Sequence, residues 1–277
     1  MRCVVPVLLA AVLIGAMVAA GCRAGEPGGT AAGSSDGASL LLVTLDTVRA
    51  DRLGGYGYAA AETPTLDRLA REGVRFAAAS TNAPLTLPAH ASLLTGLLPP
   101  RHGLRNNGAG RLPEVPTLAA VLAAAGYRTA AFVSSFVLDR RFGLDRGFAV
   151  YDDDVERDAG GGVALDAERR GDRTVERALA WLSAKTPETL DRERPFFLWV
   201  HLYDAHAPYA PPAPYDSRHR GRPYDGEIAF ADAQVGRLVA ELERRGLAGR
   251  TLVAVTADHG EALGEHGELT HGLLLYE

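Results

Sequence analysis

Four residues spread along this chain are of the types that could together hold a metal ion and supply a nucleophile. An apolar run, LLLVTL, stops at Asp46, and a second run, LVAVTA, stops at Asp258 and His259. Between these two runs, Thr86 opens the segment TLPAHASLLTG. A hydroxyl, two carboxylates and an imidazole in such positions suggest a metal-assisted nucleophilic site.

Thr86 stands where a helix is predicted to begin, with Pro88 in the first turn. A hydroxyl at this place faces free N–H groups and the positive end of the helix, which favours binding of an anion. The same position also suits an ordinary N-cap, which satisfies those N–H groups and does no chemistry. Taken alone, the position of Thr86 therefore does not distinguish a nucleophile from a helix cap.

A third apolar run ends in histidines. The strand predicted over Phe196–Val200 is followed by His201, Asp204 and His206. Ligands of open parallel sheets bind beyond the carboxyl ends of the strands, so we expect the three polar strand endings to converge. His201 could equally be a core histidine, and Asp204 could merely orient His206.

The elements that must position these side chains alternate between strands and helices. Strands are predicted over Ser39–Leu45, Thr129–Val133, Phe196–Val200 and Thr251–Ala257. Helices are predicted over Thr63–Glu72, Leu87–Thr95, Pro116–Ala125, Val175–Ser183 and Asp225–Arg245. The charged segment Asp152–Arg173 is predicted to be a surface loop. This alternation predicts an α/β fold, with a mainly parallel sheet covered by helices on both faces.

Composition limits the classes of function. The chain has 277 residues, of which 47% are hydrophobic, and this suits one globular domain with a substantial core. The net charge of -5 gives no electrostatic footprint for nucleic acid. The two cysteines, Cys3 and Cys22, precede the predicted domain, so that domain has neither a disulfide nor a thiol nucleophile.

The N-terminal segment is typical of a bacterial lipoprotein. A basic residue, an apolar stretch and the sequence AAGC predict a signal peptide over residues 1–21 and lipidation of Cys22. A plain signal peptide or a single membrane anchor are the alternatives, and all three place the domain outside the cytoplasm, in the periplasm or at the cell surface. Residues 22–38 are predicted to be a flexible tether and residues 39–277 the catalytic domain. Because the last residues are apolar and carry no helix stop, we expect the domain to be incomplete at its C-terminus.

Several motifs resemble those of the sulfatase family, which belongs to the alkaline phosphatase superfamily. The segment TLPAHASLLTG, with PRHG after it, resembles the family's nucleophile motif. The segment LDTVRAD resembles the first metal motif, and HLYDAHAPY and DHGEALGE resemble the later ones. The motifs follow the family's order from about Leu40 to Glu277. The resemblance implies that the chain has an alkaline-phosphatase-like sheet and is a member of this family.

The resemblance also implies a divalent metal ion held by Asp46, Asp258, His259 and the oxygen of Thr86. Two carboxylates and an imidazole favour zinc or manganese, and calcium stays possible. Coordination would lower the pKa of the hydroxyl and orient an in-line attack.

Further catalytic residues follow from the same resemblance. His206 and His271 would contact the non-bridging oxygens of an ester or protonate its leaving group. Asn107 matches an oxyanion-binding asparagine of phosphodiesterase relatives. His201 is placed in the catalytic group with them, subject to the alternative of a core histidine.

The chain also departs from the family pattern. True sulfatases oxidise a Cys or Ser to formylglycine within a Cys/Ser-x-Pro-x-Arg motif, where this chain has Thr86 and His90. His90 could belong to the site or form structural hydrogen bonds. The second Asp of the usual pair is Thr47, and a usual Lys and His are replaced by Ser134 and Phe136.

These departures bear on the substrate. Formylglycine hydrate releases sulfate through its second hydroxyl, which Thr86 lacks, whereas a phospho-threonine can be opened by attack at phosphorus. The sequence therefore predicts a hydrolase of phosphate or sulfate esters, on a small molecule, a glycan or a lipid. A phosphoethanolamine- or phosphoglycerol-type transferase and a non-catalytic surface lipoprotein are the alternatives.

Overall fold

Five strands form a single parallel sheet. The computed structural model describes residues 37–155, 165, 167–184 and 194–275. The strands are β1 Ser39–Leu45, β2 Arg128–Phe132, β3 Val150–Asp152, β4 Phe196–Leu202 and β5 Thr251–Ala257. Their order is β3-β2-β4-β1-β5, and every pairing between them is parallel. The predicted α/β class and mainly parallel sheet are confirmed.

Helices cover both faces of this sheet, as predicted. They are α1 Pro64–Glu72, α2 Thr86–Thr95, α3 Pro99–His102, α4 Leu118–Ala124, α5 Gly171–Ser183, α6 Tyr215–Arg218 and α7 Pro223–Arg244. Two hydrophobic cores lie on opposite faces of the sheet, and alternate residues of β4 belong to one or the other. Leu198 and Val200 pack with residues of α5 and α7, whereas Phe197 and Trp199 pack with residues of α2 and α4. The whole of β4 is buried because side chains on both of its faces meet helices.

The face that carries α2 also carries the candidate site. Side chains alternate along a strand, so Leu42 and Thr44 of β1 lie on the same face as Asp46, which directly follows the strand. Leu42 belongs to the core built around α2. The fold thus directs the first candidate carboxylate towards the helix that begins at Thr86.

Several elements, α2 and β4 among them, are longer than the sequence predicted, and one short strand was missed. Helix α2 begins one residue earlier, at Thr86, and β4 continues through His201 and Leu202. A polar residue can extend this buried strand because the His201 side chain finds a carboxylate partner. The three residues of β3 carry too short an apolar pattern to be recognised as a strand.

The prediction of a surface loop over Asp152–Arg173 is wrong for its described ends. Asp152 closes β3, and α5 begins at Gly171. Arg169 is 4% exposed, and its guanidinium donates to the Val133 carbonyl and to the Asp152 carboxylate. The charged residues suggested an exposed loop, but Arg169 is buried and its N–H groups have hydrogen-bond partners.

The predicted signal peptide, the lipidation residue Cys22, nearly all of the tether and the glycines at 160–162 lie outside the described residues. Within the described ranges, no helix has both the length and the apolar character needed to cross a membrane.

Candidate active site

The carboxyl ends of β1, β4 and β5 bring three predicted site residues together. Asp46 directly follows β1, and Asp258 directly follows β5. Thr44 lies beside His201 on β4 and beside Thr256 on β5, so the three strand ends are level. Asp46 and His201 are fully buried, and Asp258 is 4% exposed. The geometry therefore places both carboxylates and the histidine in one buried group.

Thr86 lies against this group as the first residue of α2. Its hydroxyl donates to Asp46 Oδ2 at 3.1 Å and lies 3.4 Å from His259 Nε2. The N-cap position belongs to Leu85, and no side chain caps the helix there. The Thr86 side chain thus faces the carboxylate, and the interpretation as a plain helix cap does not describe it.

Asp46, Asp258 and His259 are arranged to hold a cation. One ligand atom from each lies within 4.8 Å of the others. His259 Nε2 is 3.7 Å from Asp46 Oδ1 and 3.6 Å from Asp258 Oδ2. These two carboxylate oxygens are buried and have no hydrogen-bond partner in the described part of the chain. Such orphaned oxygens fit a divalent ion, since buried anionic groups need a compensating charge.

The orientation of His259 supports the same interpretation. Its Nδ1 lies 2.9 Å from the Gly260 carbonyl oxygen. A carbonyl only accepts, so Nδ1 carries the proton, and the lone pair of a neutral ring lies on Nε2, facing the carboxylates. A hydrogen bond from the second ring nitrogen to a carbonyl is the usual arrangement of a metal-binding histidine.

Electrostatics oppose the coexistence of two free carboxylates in this group. Burial alone would raise the pKa of Asp46, but the His201 hydrogen bond and the charge on His259 hold that pKa well below its ordinary value. Burial and the nearby Asp46 charge raise the pKa of Asp258 to about 6. The pKa of His259 is raised because Asp258 and Asp46 outweigh the effect of its burial. A bound cation would relieve the repulsion that these shifts report.

His206 and His271 form a second group beside the first. Their Nε2 atoms are 3.0 Å apart, and the ring centroids of His271 and His259 are separated by 4.4 Å. Nδ1 of His206 donates to the Ala207 carbonyl at 2.6 Å, and Nδ1 of His271 donates to the Pro84 carbonyl at 3.0 Å. Both Nε2 atoms therefore face each other without protons when the rings are neutral, so a proton or another electropositive group is needed between them. Burial and the charge on His259 lower the pKa of His271 to about 4.

His201 contacts a candidate metal ligand rather than open space. Its Nε2 lies 3.2 Å from Asp46 Oδ2. This bond fixes the carboxylate, so the side chain is not an isolated core histidine. Asp204, on the loop after β4, instead accepts the backbone N–H of Gly171 at 2.9 Å and so anchors the start of α5.

Asn107 lies next to the predicted nucleophile. Its side-chain oxygen accepts the backbone N–H of Leu87 at 2.9 Å, one residue after Thr86. The amide therefore satisfies a free N–H of the first turn of α2.

Two residues that the sequence left uncertain prove to be part of the surroundings of the site. Thr47 has φ of 56°, which is unusual for a β-branched residue, and its hydroxyl donates to the Ala205 carbonyl at 2.7 Å. Its N–H donates to Asp258 Oδ1 at 3.3 Å. Thr47 thus ties three strand ends together instead of offering its oxygen to a metal. His90 is fully buried, and its burial and the proximity of His201 lower its pKa to about 3.

Sequence reasoning missed Thr44 and Trp199 as partners of the site. Trp199 Nε1 donates to Thr44 Oγ1 at 3.0 Å. Thr44 could have been found by spacing, because it precedes Asp46 by two residues and shares its strand face. The replacements Ser134 and Phe136 lie elsewhere: Ser134 Oγ bonds to a threonine hydroxyl of α5, and Phe136 packs in the core.

Comparison with known proteins matches this chain to sulfatases, by a family model and by individual relatives. The family model described as Sulfatase matches residues 39–274. N-acetylgalactosamine-6-sulfatase of Rattus norvegicus is 31% identical, over 84% of this chain and 52% of that protein. Arylsulfatase A of Bos taurus is 30% identical, over 84% of this chain and 54% of that protein. The chain therefore spans about half the length of these curated relatives.

A likeness to solved structures concerns the fold alone. The phosphonate monoester hydrolase of Agrobacterium radiobacter has a TM-score of 0.71 at 20% identity. The match covers 86% of this chain and 66% of that one.

Proposed function

Because this chain belongs to the sulfatase family, we propose that it is a metal-dependent ester hydrolase with Thr86 as its covalent nucleophile. The position of the Thr86 hydroxyl carries the proposal, since it lies 3.1 Å from Asp46 Oδ2 and 3.4 Å from His259 Nε2. This hydroxyl meets a buried group whose orphaned carboxylate oxygens suit a divalent cation. Both the nucleophile and its activating groups are thereby brought to one place.

The residues of the chain have separable roles in this proposal. Asp46, Asp258, His259 and the Thr86 oxygen would hold zinc or manganese, with calcium as an alternative. When bound, this ion would polarise the ester and lower the pKa of the Thr86 hydroxyl. Asp46 Oδ2 accepts the hydroxyl proton and so orients the oxygen for attack, and His201 holds this carboxylate in place.

His206 and His271 would act on the ester itself. A proton taken up at one of these two Nε2 atoms when the anionic ester binds could stabilise a non-bridging oxygen or pass to the leaving-group oxygen. The Nδ1 hydrogen bonds to backbone carbonyls fix the direction of both rings. Asn107 would help to keep the first turn of α2 in place through its bond to Leu87.

The single hydroxyl of Thr86 favours phosphate esters. The Thr86 hydroxyl gives its proton to Asp46 Oδ2 as Oγ1 attacks phosphorus, the bond from phosphorus to the leaving oxygen breaks, and that oxygen takes a proton from the histidine pair. Water then gives a proton to the histidine pair and attacks phosphorus, the bond to Oγ1 breaks, and Oγ1 recovers its proton from Asp46. The names of the two sulfatase relatives support a sulfate ester, on a glycan or a small molecule, as the alternative substrate.

An experiment on the full chain tests the nucleophile. The protein is loaded with zinc or manganese and given aryl phosphate monoesters, phosphodiesters and sulfate esters, and an adduct on Thr86 is sought by mass spectrometry. We expect Thr86→Ala to lower kcat/KM about 1,000-fold or more, and Thr86→Ser to retain part of the activity. Undiminished turnover by Thr86→Ala would refute the proposal.

The same experiment distinguishes the alternatives. Transfer of the phosphoryl group to an added alcohol in preference to water would identify a transferase. Failure to retain any divalent ion after dialysis, together with no turnover, would support a non-catalytic lipoprotein.

We also propose that the protein is exported and anchored to a membrane by lipid on Cys22. The AAGC sequence and the apolar segment before it support this. Mass spectrometry of the native protein extracted from membranes should find fatty acyl groups on Cys22, and Cys22→Ser should abolish them. A native protein in the membrane fraction with an unmodified Cys22 would exclude the lipid anchor.

A further inference from the structure

We propose that His90 is a positioning residue which, with Thr44 and Trp199, sets the distance between the Thr86 hydroxyl and Asp46. The inference rests on the proposed function, because it concerns the nucleophile of that site. It assigns a role to the histidine that stands where family members carry arginine.

Two parallel contacts join α2 to β1. Thr86 and His90 are four residues apart and share one face of the helix, and Thr44 and Asp46 are two residues apart and share one face at the end of the strand. The first contact joins Thr86 Oγ1 to Asp46 Oδ2 at 3.1 Å. The second joins His90 Nε2 to Thr44 Oγ1 at 2.9 Å. A shift of the helix along the strand would therefore break both contacts together.

The direction of every hydrogen bond in the second contact is determined. The indole N–H of Trp199 can only donate, and it lies 3.0 Å from Thr44 Oγ1. Thr44 Oγ1 is thus occupied as an acceptor, and its own hydrogen is free to donate to His90 Nε2. His90 Nδ1 lies 2.8 Å from the Thr86 carbonyl, which only accepts, so the ring proton is on Nδ1. His90 is therefore a neutral imidazole with both nitrogens in use.

This assignment argues against a competing role for His90 as a metal ligand. Ligand atoms of His90, His201 and Asp258 lie within 4.8 Å of one another, which is a geometry that could hold an ion. His90 Nδ1 is 3.5 Å from Asp258 Oδ2, but it carries a proton directed to the nearer carbonyl. The Nε2 lone pair accepts from Thr44 and is not free to bind a metal.

Burial makes the arrangement sensitive to a single change. His90, Thr44 and Trp199 are all 0% exposed, so water cannot replace a missing partner without repacking. The His90 ring also packs against Trp199, with ring centroids 5.4 Å apart. Loss of the Thr44 hydroxyl would leave Nε2 unsatisfied and would loosen the first turn of α2, which carries Thr86.

The test compares two equivalent substitutions in one sheet. Thr44→Val removes the hydroxyl and keeps the shape, and we expect kcat to fall about 10- to 100-fold with little change in KM. Thr129→Val is the matched control, because Thr129 on β2 is 2% exposed and its hydroxyl donates to the Gly147 carbonyl at 2.8 Å. The control should lose comparable stability and keep the native kcat. Equal kcat values for the two variants would overturn the proposal.

A second measurement does not depend on turnover. In the native protein with labelled histidines, 15N NMR should show His90 protonated on Nδ1 and unprotonated on Nε2, and a His90→Gln spectrum assigns the signals. Protonation on Nε2 would overturn the inference. If the native protein hydrolyses no ester, the proposed function fails while the NMR result still decides the arrangement of His90.

Discussion

Replacement of His201 by leucine should weaken metal binding without unfolding the protein. His201 Nε2 lies 3.2 Å from Asp46 Oδ2, and both side chains are fully buried. In a His201→Leu variant this oxygen keeps only the Thr86 hydroxyl as a donor. The carboxylate is then free to rotate away from the other ligand atoms.

The size of the effect follows from the kind of bond that is lost. A hydrogen bond to a charged group contributes about 1.5–3 kcal/mol, which corresponds to a roughly 10- to 150-fold change in an equilibrium constant. Loss of a hydrogen-bond partner of a metal ligand costs about 10- to 100-fold in metal affinity, so the two estimates agree. We therefore expect the Kd for zinc or manganese to rise about 10- to 100-fold.

Competition with a chromophoric chelator measures this Kd, and thermal unfolding verifies that each variant is folded. His201→Gln should keep near-native affinity, because its amide nitrogen can take the place of Nε2. His102→Leu is the matched control, since His102 is equally buried but bonds to the Ser92 hydroxyl at 2.9 Å. A folded His201→Leu variant with native affinity would refute the reasoning, because Asp46 would then be oriented by other contacts.

Three further predictions concern stability. Removal of divalent ions with EDTA should lower Tm, and it should do so more at pH 8 than at pH 5. Burial and Asp46 raise the pKa of Asp258 to about 6, so the metal-free protein loses stability as pH rises through that value. Glu227→Gln should flatten the dependence of unfolding free energy on pH in urea titrations. Burial raises the pKa of Glu227 to about 9, so the unfolding free energy of the native protein falls by up to about 1.4 kcal/mol per pH unit between roughly pH 4.5 and 9. Asp232→Ala should lower the unfolding free energy by about 1–2 kcal/mol in the same assay, because Asp232 accepts the N–H groups of Thr65 and Leu66 at 3.1 and 2.8 Å. A pH-independent effect of EDTA, an unchanged slope for Glu227→Gln or native stability of Asp232→Ala would contradict these expectations.

Much of the fold could be predicted because its elements carry strong local patterns. The bounds of β1 and β5 agree with the predicted strands, and α1 follows its predicted range within one residue. Both strands are apolar runs, and α1 has Pro64 in its first turn and Gly73 at its end. The three-residue β3 could not be predicted, because it is a strand through its pairing with β2 rather than through its own pattern.

The residue types of the candidate site were also readable from the sequence, together with the order in which they follow the strands. A parallel sheet brings the ends of its strands to one edge, so Asp46 and Asp258 could be expected to approach each other. That expectation required no knowledge of individual contacts.

The contacts of each group were decided by the tertiary structure alone. The sequence left the contacts of Thr86 undetermined, and α2 places its hydroxyl on Asp46, 40 residues earlier in the chain. Thr47 turns its hydroxyl to Ala205, 158 residues away, and His201 finds Asp46 across 155 residues. The physical reason is that a buried polar atom must take whichever partner the packing brings near, and strand register and the seating of α2 on β1 determine that partner.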